Sequence, residues 1–254
     1  MAENSKIEWC DHTVNLWWGC AKVHTGCKNC YAEHLSDTRY KNNLWGEKNS
    51  RKRIKSCFTD LDKYQKEAAL KNTKYKIFCG SMMDIFEDSK DLVNPTAYFR
   101  NTSDIRDYLF NKIERGYYNN LIFLFLTKRP ENIEDFSTFA WPSQYPENVW
   151  FGASVSDQET YNKSAGILET LNTQNLFLSV EPQVGNIEIG VSAFNIAWII
   201  QGGESGPNKR PFDLKWAYTM KSRCEAAEVA YFFKQIDKIQ AIPEDLQIRE
   251  FPKF

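Results

Sequence analysis

The chain lacks any long hydrophobic run. Its longest unbroken apolar stretch, Leu121 to Leu126, is far below the ~20 residues a membrane-spanning helix needs, so no membrane association is expected. It also lacks an excess of either charge. The 32 Lys and Arg are matched by 33 Asp and Glu, a net charge of −1, which excludes a global electrostatic pull toward nucleic acid or acidic lipid. The N-terminal Met-Ala-Glu-Asn-Ser-Lys is polar and has no apolar leader segment. The seven cysteines are an odd number, which argues against a disulfide framework and for a reducing, cytoplasmic location. Internal repeats, low-complexity tracts and linker-like boundaries are absent as well. The expectation is one domain over residues 1–254 with an excursion at about 41–58.

What is present is alternation. Short apolar runs occur at Val14–Trp18, Tyr75–Cys79, Leu121–Leu126, Val149–Ala153, Leu176–Val180, Ile196–Ile200 and Val229–Phe233. They are continuous rather than alternating, as in strands covered on both faces. Charged, helix-compatible stretches follow them: Cys30–Tyr40, Asp60–Lys71, Tyr98–Arg115, Asp157–Leu171 and Asp213–Ala227. Asp157 and Asp213 have the residue type and position of N-caps. A repeated β-then-α order predicts an α/β fold with a parallel sheet and crossover helices, either barrel-like or open.

The first run leads into Cys20, Cys27 and Cys30, spaced C-x6-C-x2-C. What is missing there is a fourth cysteine. A structural zinc site is closed by four ligands, and His24, His34 or Cys10 would have to complete it. Three thiolates on a [4Fe–4S] cluster instead leave one iron open to a ligand. Both readings stand on spacing alone. Cys57, Cys79 and Cys224 have no such spacing and read as inert buried thiols.

Polar and small residues gather after each of the other runs. Gly80 and Ser81 follow the second, Lys128 and Arg129 the third, and Ser154 the fourth. Glu181 with Pro182 follows the fifth, Gly202, Gly203 and Glu204 the sixth, and Lys234 with Gln235 the last. In parallel β/α folds the C-terminal strand ends form the rim where ligands bind. Simpler readings exist for Glu181, a salt bridge to Lys128, and for Asp84, which closes the stretch after the second run, a helix cap. Separately, Lys48, Arg51, Lys52, Arg53 and Lys55 make a basic run near Tyr40 and Trp45. It reads as a candidate contact to a nucleic-acid backbone or as a solvated loop.

Taken together, several stretches resemble the phage Gp37/Gp68-type proteins, a three-Cys-motif family similar to radical S-adenosylmethionine (SAM) enzymes. The resembling stretches are Ile7-Glu8-Trp9 with Asp11 and Asn15; Gly19-Cys20 through Cys30-Tyr31-Ala32-Glu33; Ser81-Met82 with Asp84 and Phe86; Leu126 through Pro130; Ser179 with Glu181-Pro182; Gly202 through Pro207 with Arg210-Pro211; and Phe232 through Gln235. The first cysteine gap of six residues departs from the three usual in that superfamily. Cys10, Val14, Leu16 and Ile236 also stand where other residues are usual. The resemblance implies a parallel (β/α)6-type partial TIM barrel as in radical SAM enzymes. It further implies a [4Fe–4S] cluster on Cys20, Cys27 and Cys30, with SAM on the open iron. Gly80 and Ser81 would then meet the methionine amino group, and Lys128 or Arg129 its carboxylate. Ser154 and Glu181 would meet ribose hydroxyls, and Gly202, Gly203 and Glu204 adenine or substrate. An electron donor such as flavodoxin or ferredoxin would serve the reaction, and a nucleic acid or nucleotide-derived molecule would be the substrate. The competing expectation is a non-catalytic nucleic-acid-binding protein stabilised by zinc or an Fe–S cluster.

Overall fold

The computed structural model describes residues 5–190, 196–206 and 208–254, so Pro207 of the glycine-rich stretch lies outside the described residues. In chain order the strands are β1 (His12–Val14), β2 (Trp17–Trp18), β3 (Lys52–Arg53), β4 (Tyr75–Cys79), β5 (Leu121–Thr127), β6 (Val149–Ser154), β7 (Leu176–Val180), β8 (Ile196–Gly202) and β9 (Ala230–Gln235). The helices are α1 (Tyr31–His34), α2 (Cys57–Leu70), α3 (Thr102–Glu114), α4 (Ile133–Ser137), α5 (Gln158–Thr170) and α6 (Leu214–Ala227). Seven strands form one sheet in the order β1-β4-β5-β6-β7-β8-β9, and β2 pairs with β3 in a separate antiparallel ribbon. The sheet pairs β1/β4, β4/β5, β6/β7, β7/β8 and β8/β9 are parallel. This is the α/β class that the alternating runs predict. Among the described residues no helix is long and apolar enough to cross a membrane.

The largest departure from expectation is at the first run. Val14–Trp18 is not one strand. Asn15 turns its side chain to the loop after β4, accepting from the Met82 backbone N–H at 2.7 Å and donating to Ser81 Oγ at 2.9 Å. The chain therefore leaves the sheet at Asn15, and Trp17–Trp18 pair with Arg53 and Lys52 instead. The excursion at 41–58 supplies that ribbon partner, and α2 already begins at Cys57.

Helix starts follow their caps. Asp157 caps α5, accepting from the Thr160 N–H at 3.0 Å, and Asp213 caps α6 through Lys215. Helix α3 starts at Thr102 rather than Tyr98 because Asn101 and Asp104 form a reciprocal capping box. After α1 the backbone widens into a π-turn over Leu35–Arg39.

The chain folds into two compact units. The first comprises Met1–Lys22 and Ala32–Trp150, the second Val23–Tyr31 and Phe151–Phe254. In the first, Phe110 packs against Phe86, Phe125 and Trp141, all fully or almost fully buried, between helix α3 and the sheet. In the second, Trp198 of β8 meets Phe177 of β7 and Phe232 of β9. Gly152 of β6 is required there, because a Cβ on it would stand 2.3 Å from the Phe177 ring. Each large side chain removed from water contributes roughly 1.5–3 kcal/mol.

Candidate functional site

The first unit holds Cys20 in a chain of buried charges. Its loop starts at Gly19, whose φ of +116° and tight approach to the Leu44 carbonyl exclude any side chain. Beyond Cys20 the Ala21 carbonyl accepts from Arg129 Nη2 at 3.0 Å. Arg129 Nη1 meets Asp84 Oδ2 at 2.9 Å and points an N–H at Cys20 Sγ at 3.9 Å. Its other terminal nitrogen lies 3.7 Å from Glu87. Glu87 is held by both Arg51 Nε and Arg51 Nη2, at 2.8 and 2.6 Å. Arg51, Glu87, Arg129 and Asp84 are all buried, so two cations and two anions alternate in a neutral row.

Asp84 is the hinge of this row. It accepts the Thr127 hydroxyl at 2.6 Å, the Lys128 N–H at 3.0 Å and the Phe86 N–H at 3.0 Å. It does not cap a helix. Instead it ties the loop after β4 to the loop after β5. Gly80, at φ +123°, begins the first of these loops, and Ser81 follows with its hydroxyl on Asn15.

Burial, reinforced by the Asp84 and Glu87 carboxylates, pushes the Cys20 thiol up to about 12 against the opposing pull of Arg129. Such a thiol keeps its proton until a metal takes the proton's place. The Arg129 N–H is then already aimed at the sulfur that would carry the charge. In the donor chemistry that they offer, these surroundings fit a sulfur ligand of a metal group. All three loop cysteines are free thiols. Among the described residues no three His, Cys, Asp or Glu side chains are grouped to hold a metal ion.

The second unit holds Cys27 and Cys30 on an arm formed by Val23–Tyr31. His24 caps a single 3-10 turn, Thr25–Cys27, by accepting the Gly26 N–H on Nδ1 at 3.0 Å. Its Nδ1 is thereby committed to the backbone. Thr25 donates to Asp157 Oδ2 at 2.6 Å. Gly26 lies directly on Ser156, and a Cβ there would sit 2.1 Å from the Ser156 Oγ. Asn29, between the two cysteines, donates to Glu204 Oε2 at 3.0 Å and to the Asn208 carbonyl at 2.8 Å. Arg210 grips Glu204 through its backbone N–H, Nε and Nη2 and donates from Nη1 to the Thr25 carbonyl at 3.2 Å. Burial opposes ionisation of Glu204, but the hydrogen bonds from Arg210 and Asn29 win and hold its carboxyl below the ordinary value.

The strand ends of the second unit carry a further ion pair. Lys234 of β9 bonds Glu181 after β7, with both side chains partly exposed. The Ser154 hydroxyl donates to the Glu181 carbonyl at 3.1 Å. Behind them, Gln201 joins Gln183 and Tyr231 in a buried polar row.

These contacts give several residues singled out in the sequence partners within the protein. The Arg129 guanidinium is engaged by Asp84, Glu87 and the Ala21 carbonyl. Glu204 is likewise occupied by Arg210 and Asn29. Ser154 spends its hydroxyl on backbone. Gly203 is fixed by packing, since a Cβ on it would stand 2.0 Å from the Ile236 carbonyl oxygen. Glu181 pairs with Lys234 rather than Lys128. In the basic run, Arg51 is fully buried and cannot meet a nucleic acid. Arg53 stacks 4.4 Å from the Phe99 ring centre, while Lys48, Lys52 and Lys55 are exposed. Cys10, weighed as a fourth metal ligand, is buried with its thiol toward the Ile7 carbonyl. Sequence reasoning passed over Glu87, Asn29 and Asp157 as partners of the cysteine loop. Arg210 and Lys234 lay within resembling stretches but were given no role.

A family model described as a protein of unknown function, DUF5131, matches residues 4–245. No curated protein and no solved structure matches the chain.

Proposed function

The chain belongs to the DUF5131 family, and we propose that it is a radical SAM enzyme built on a (β/α)6-type partial barrel. The observation that carries this reading is the Cys20 setting: a free, half-buried thiol in a three-cysteine loop, backed by a guanidinium N–H. When bound to the three thiols, a [4Fe–4S] cluster supplies one electron and an open iron, which is the chemistry that cleaves SAM to methionine and a hydrogen-abstracting 5′-deoxyadenosyl group. The protein's part is to bind, orient and exclude water. Arg129 steadies the Cys20 sulfur and the Ala21 carbonyl together. Gly80 offers backbone without a side chain at a strand end, beside the Ser81 hydroxyl. The Glu181–Lys234 pair presents both charges at the rim, where ribose hydroxyls or a substrate's polar groups would exchange with it. The substrate in this reading is nucleic acid or nucleotide-derived, the electron donor a flavodoxin or ferredoxin, and the compartment cytoplasmic.

The test is anaerobic reconstitution with iron and sulfide, then incubation with SAM and a reductant. Formation of 5′-deoxyadenosine and methionine, lost in Cys20→Ala, Cys27→Ala and Cys30→Ala but kept in Cys224→Ala, is the expected result. A colourless protein holding zinc, with no SAM cleavage, overturns it in favour of a metal-stabilised nucleic-acid-binding protein.

A further inference from the structure

We infer that Glu204 and Arg210 form a clamp whose work is to hold the two-cysteine arm in place. The glycine-rich stretch after β8 is then a positioning element for Cys27 and Cys30 rather than a lining for a ligand. The inference builds on the proposed metal-binding role of those cysteines.

The geometry is one-sided. Glu204 is 4% exposed and sits just past the end of β8. Oε1 accepts from Arg210 Nη2 at 2.7 Å, and Oε2 accepts from Arg210 N, Arg210 Nε and Asn29 Nδ2. Both oxygens are engaged by the protein itself. The same pair reaches the arm at both ends of its turn: Asn29 through Glu204, and the Thr25 carbonyl through Arg210 Nη1 at 3.2 Å. Cys27 lies between these two anchor points, and Cys30 follows Asn29 directly. The 3-10 turn is three residues long, too short to persist by itself. The arm's other contacts include Thr25 on Asp157, Asn29 on the Asn208 carbonyl and the close seat of Gly26 against Ser156. Charge-assisted hydrogen bonds in a partly desolvated site are the strong kind, so an arm this short takes its position from them. Gly203 explains why the clamp stands where it does. With no side chain it lets the backbone close on the Ile236 carbonyl, and the Gln235 side chain donates to the Gly203 carbonyl at 2.9 Å. That seats Glu204 on the end of the sheet. Arg210 and Asn29 are positioning residues here. They touch no reacting atom.

The experiment uses the full chain without metal and measures alkylation of each cysteine by mass spectrometry over time. Glu204→Gln, Arg210→Met and Asn29→Ala are compared with the wild type. Loss of one charge-assisted contact should speed alkylation of Cys27 and Cys30 by about tenfold, through more frequent local opening of the arm. Cys10, Cys57, Cys79 and Cys224 should stay at wild-type rates. Arg210→Lys, which keeps one charged donor, should fall between wild type and Arg210→Met. Wild-type rates at Cys27 and Cys30 in all three variants overturn the clamp. So does a uniform rise at every cysteine in all three, because the pair then supports the whole unit and not the arm. Iron uptake is scored separately. A wild-type chain that takes up no iron, yet shows the selective alkylation pattern, overturns the metal reading and leaves the clamp standing.

Discussion

Arg51 shows how far a residue's role can depart from its neighbourhood in sequence. It stands in a run of cations, yet its guanidinium is buried. It is paired to Glu87 and bonded to the carbonyls of Leu44, Gly46 and Asn49. Removing one partner of a buried pair leaves the other charge uncompensated, which costs roughly 3–5 kcal/mol. Arg51→Met should therefore lower stability by that order in urea unfolding. Lys52→Glu, one residue away and exposed, should stay within about 0.5 kcal/mol of wild type. Glu204 makes a second prediction at this scale. Its carboxyl is held below the ordinary carboxylate value in the folded chain, burial opposing and the Arg210 and Asn29 hydrogen bonds prevailing. A carboxyl with a depressed folded value stabilises above its unfolded pKa and loses that contribution as pH falls through its folded value. The melting-temperature gap between wild type and Glu204→Gln should be full near neutral pH. It should shrink as pH drops below the ordinary carboxylate range. A gap that is constant down to strongly acid pH would show that the charge on Glu204 carries none of it.

At the scale of elements, the glycines after β8 separate two effects that look alike in sequence. A Cβ on Gly202 would meet the Gln235 side chain at 3.4 Å, an ordinary contact. A Cβ on Gly203 would collide with backbone. Gly203→Ala should destabilise by about 1–3 kcal/mol, the usual result of forcing atoms into a packed site, while Gly202→Ala is tolerated. Thermal melts of the two variants check this. The elements themselves were largely readable. Tyr75–Cys79 and Leu176–Val180 are strands with the bounds the apolar runs gave, and Asp157 and Asp213 cap the helices they precede. Where the reading failed, a side chain outranked the local pattern. Asn15 breaks the first apolar run by bonding to a loop far along the chain, and the capping box at Asn101 sets a helix start that charge content had placed at Tyr98. Such partners are chosen by tertiary contact, and periodicity carries no trace of them.

For the molecule as a whole, the matched charges leave any binding of nucleic acid to a local patch. With Arg51 buried and Arg53 stacked on Phe99, the exposed cations of the basic run are Lys48, Lys52 and Lys55. If that patch binds a nucleic-acid backbone, counterion release sets the log–log slope of affinity against salt near −3. Replacing the three lysines by Glu should abolish that slope in a fluorescence-anisotropy titration with an oligonucleotide. A slope unchanged by the triple replacement places the contact elsewhere. The cysteine loop and the strand-end residues were legible because their residue types are unusual at their positions. Their partners were not. Glu87, Asn29 and Asp157 are ordinary polar residues until folding brings them to the loop.

Arg51 has one more consequence, for proteolysis. A trypsin-like protease must draw an extended backbone and a basic side chain into its cleft. The 41–58 segment, with Lys48, Arg51, Lys52, Arg53 and Lys55, looks in sequence like an open invitation to one. Yet the Arg51 N–H is bonded to the Asp91 carbonyl and its own carbonyl to the Val93 N–H, and its side chain is enclosed by the loop it organises. The residue that makes the segment look most cleavable is the one that keeps the middle of it shut.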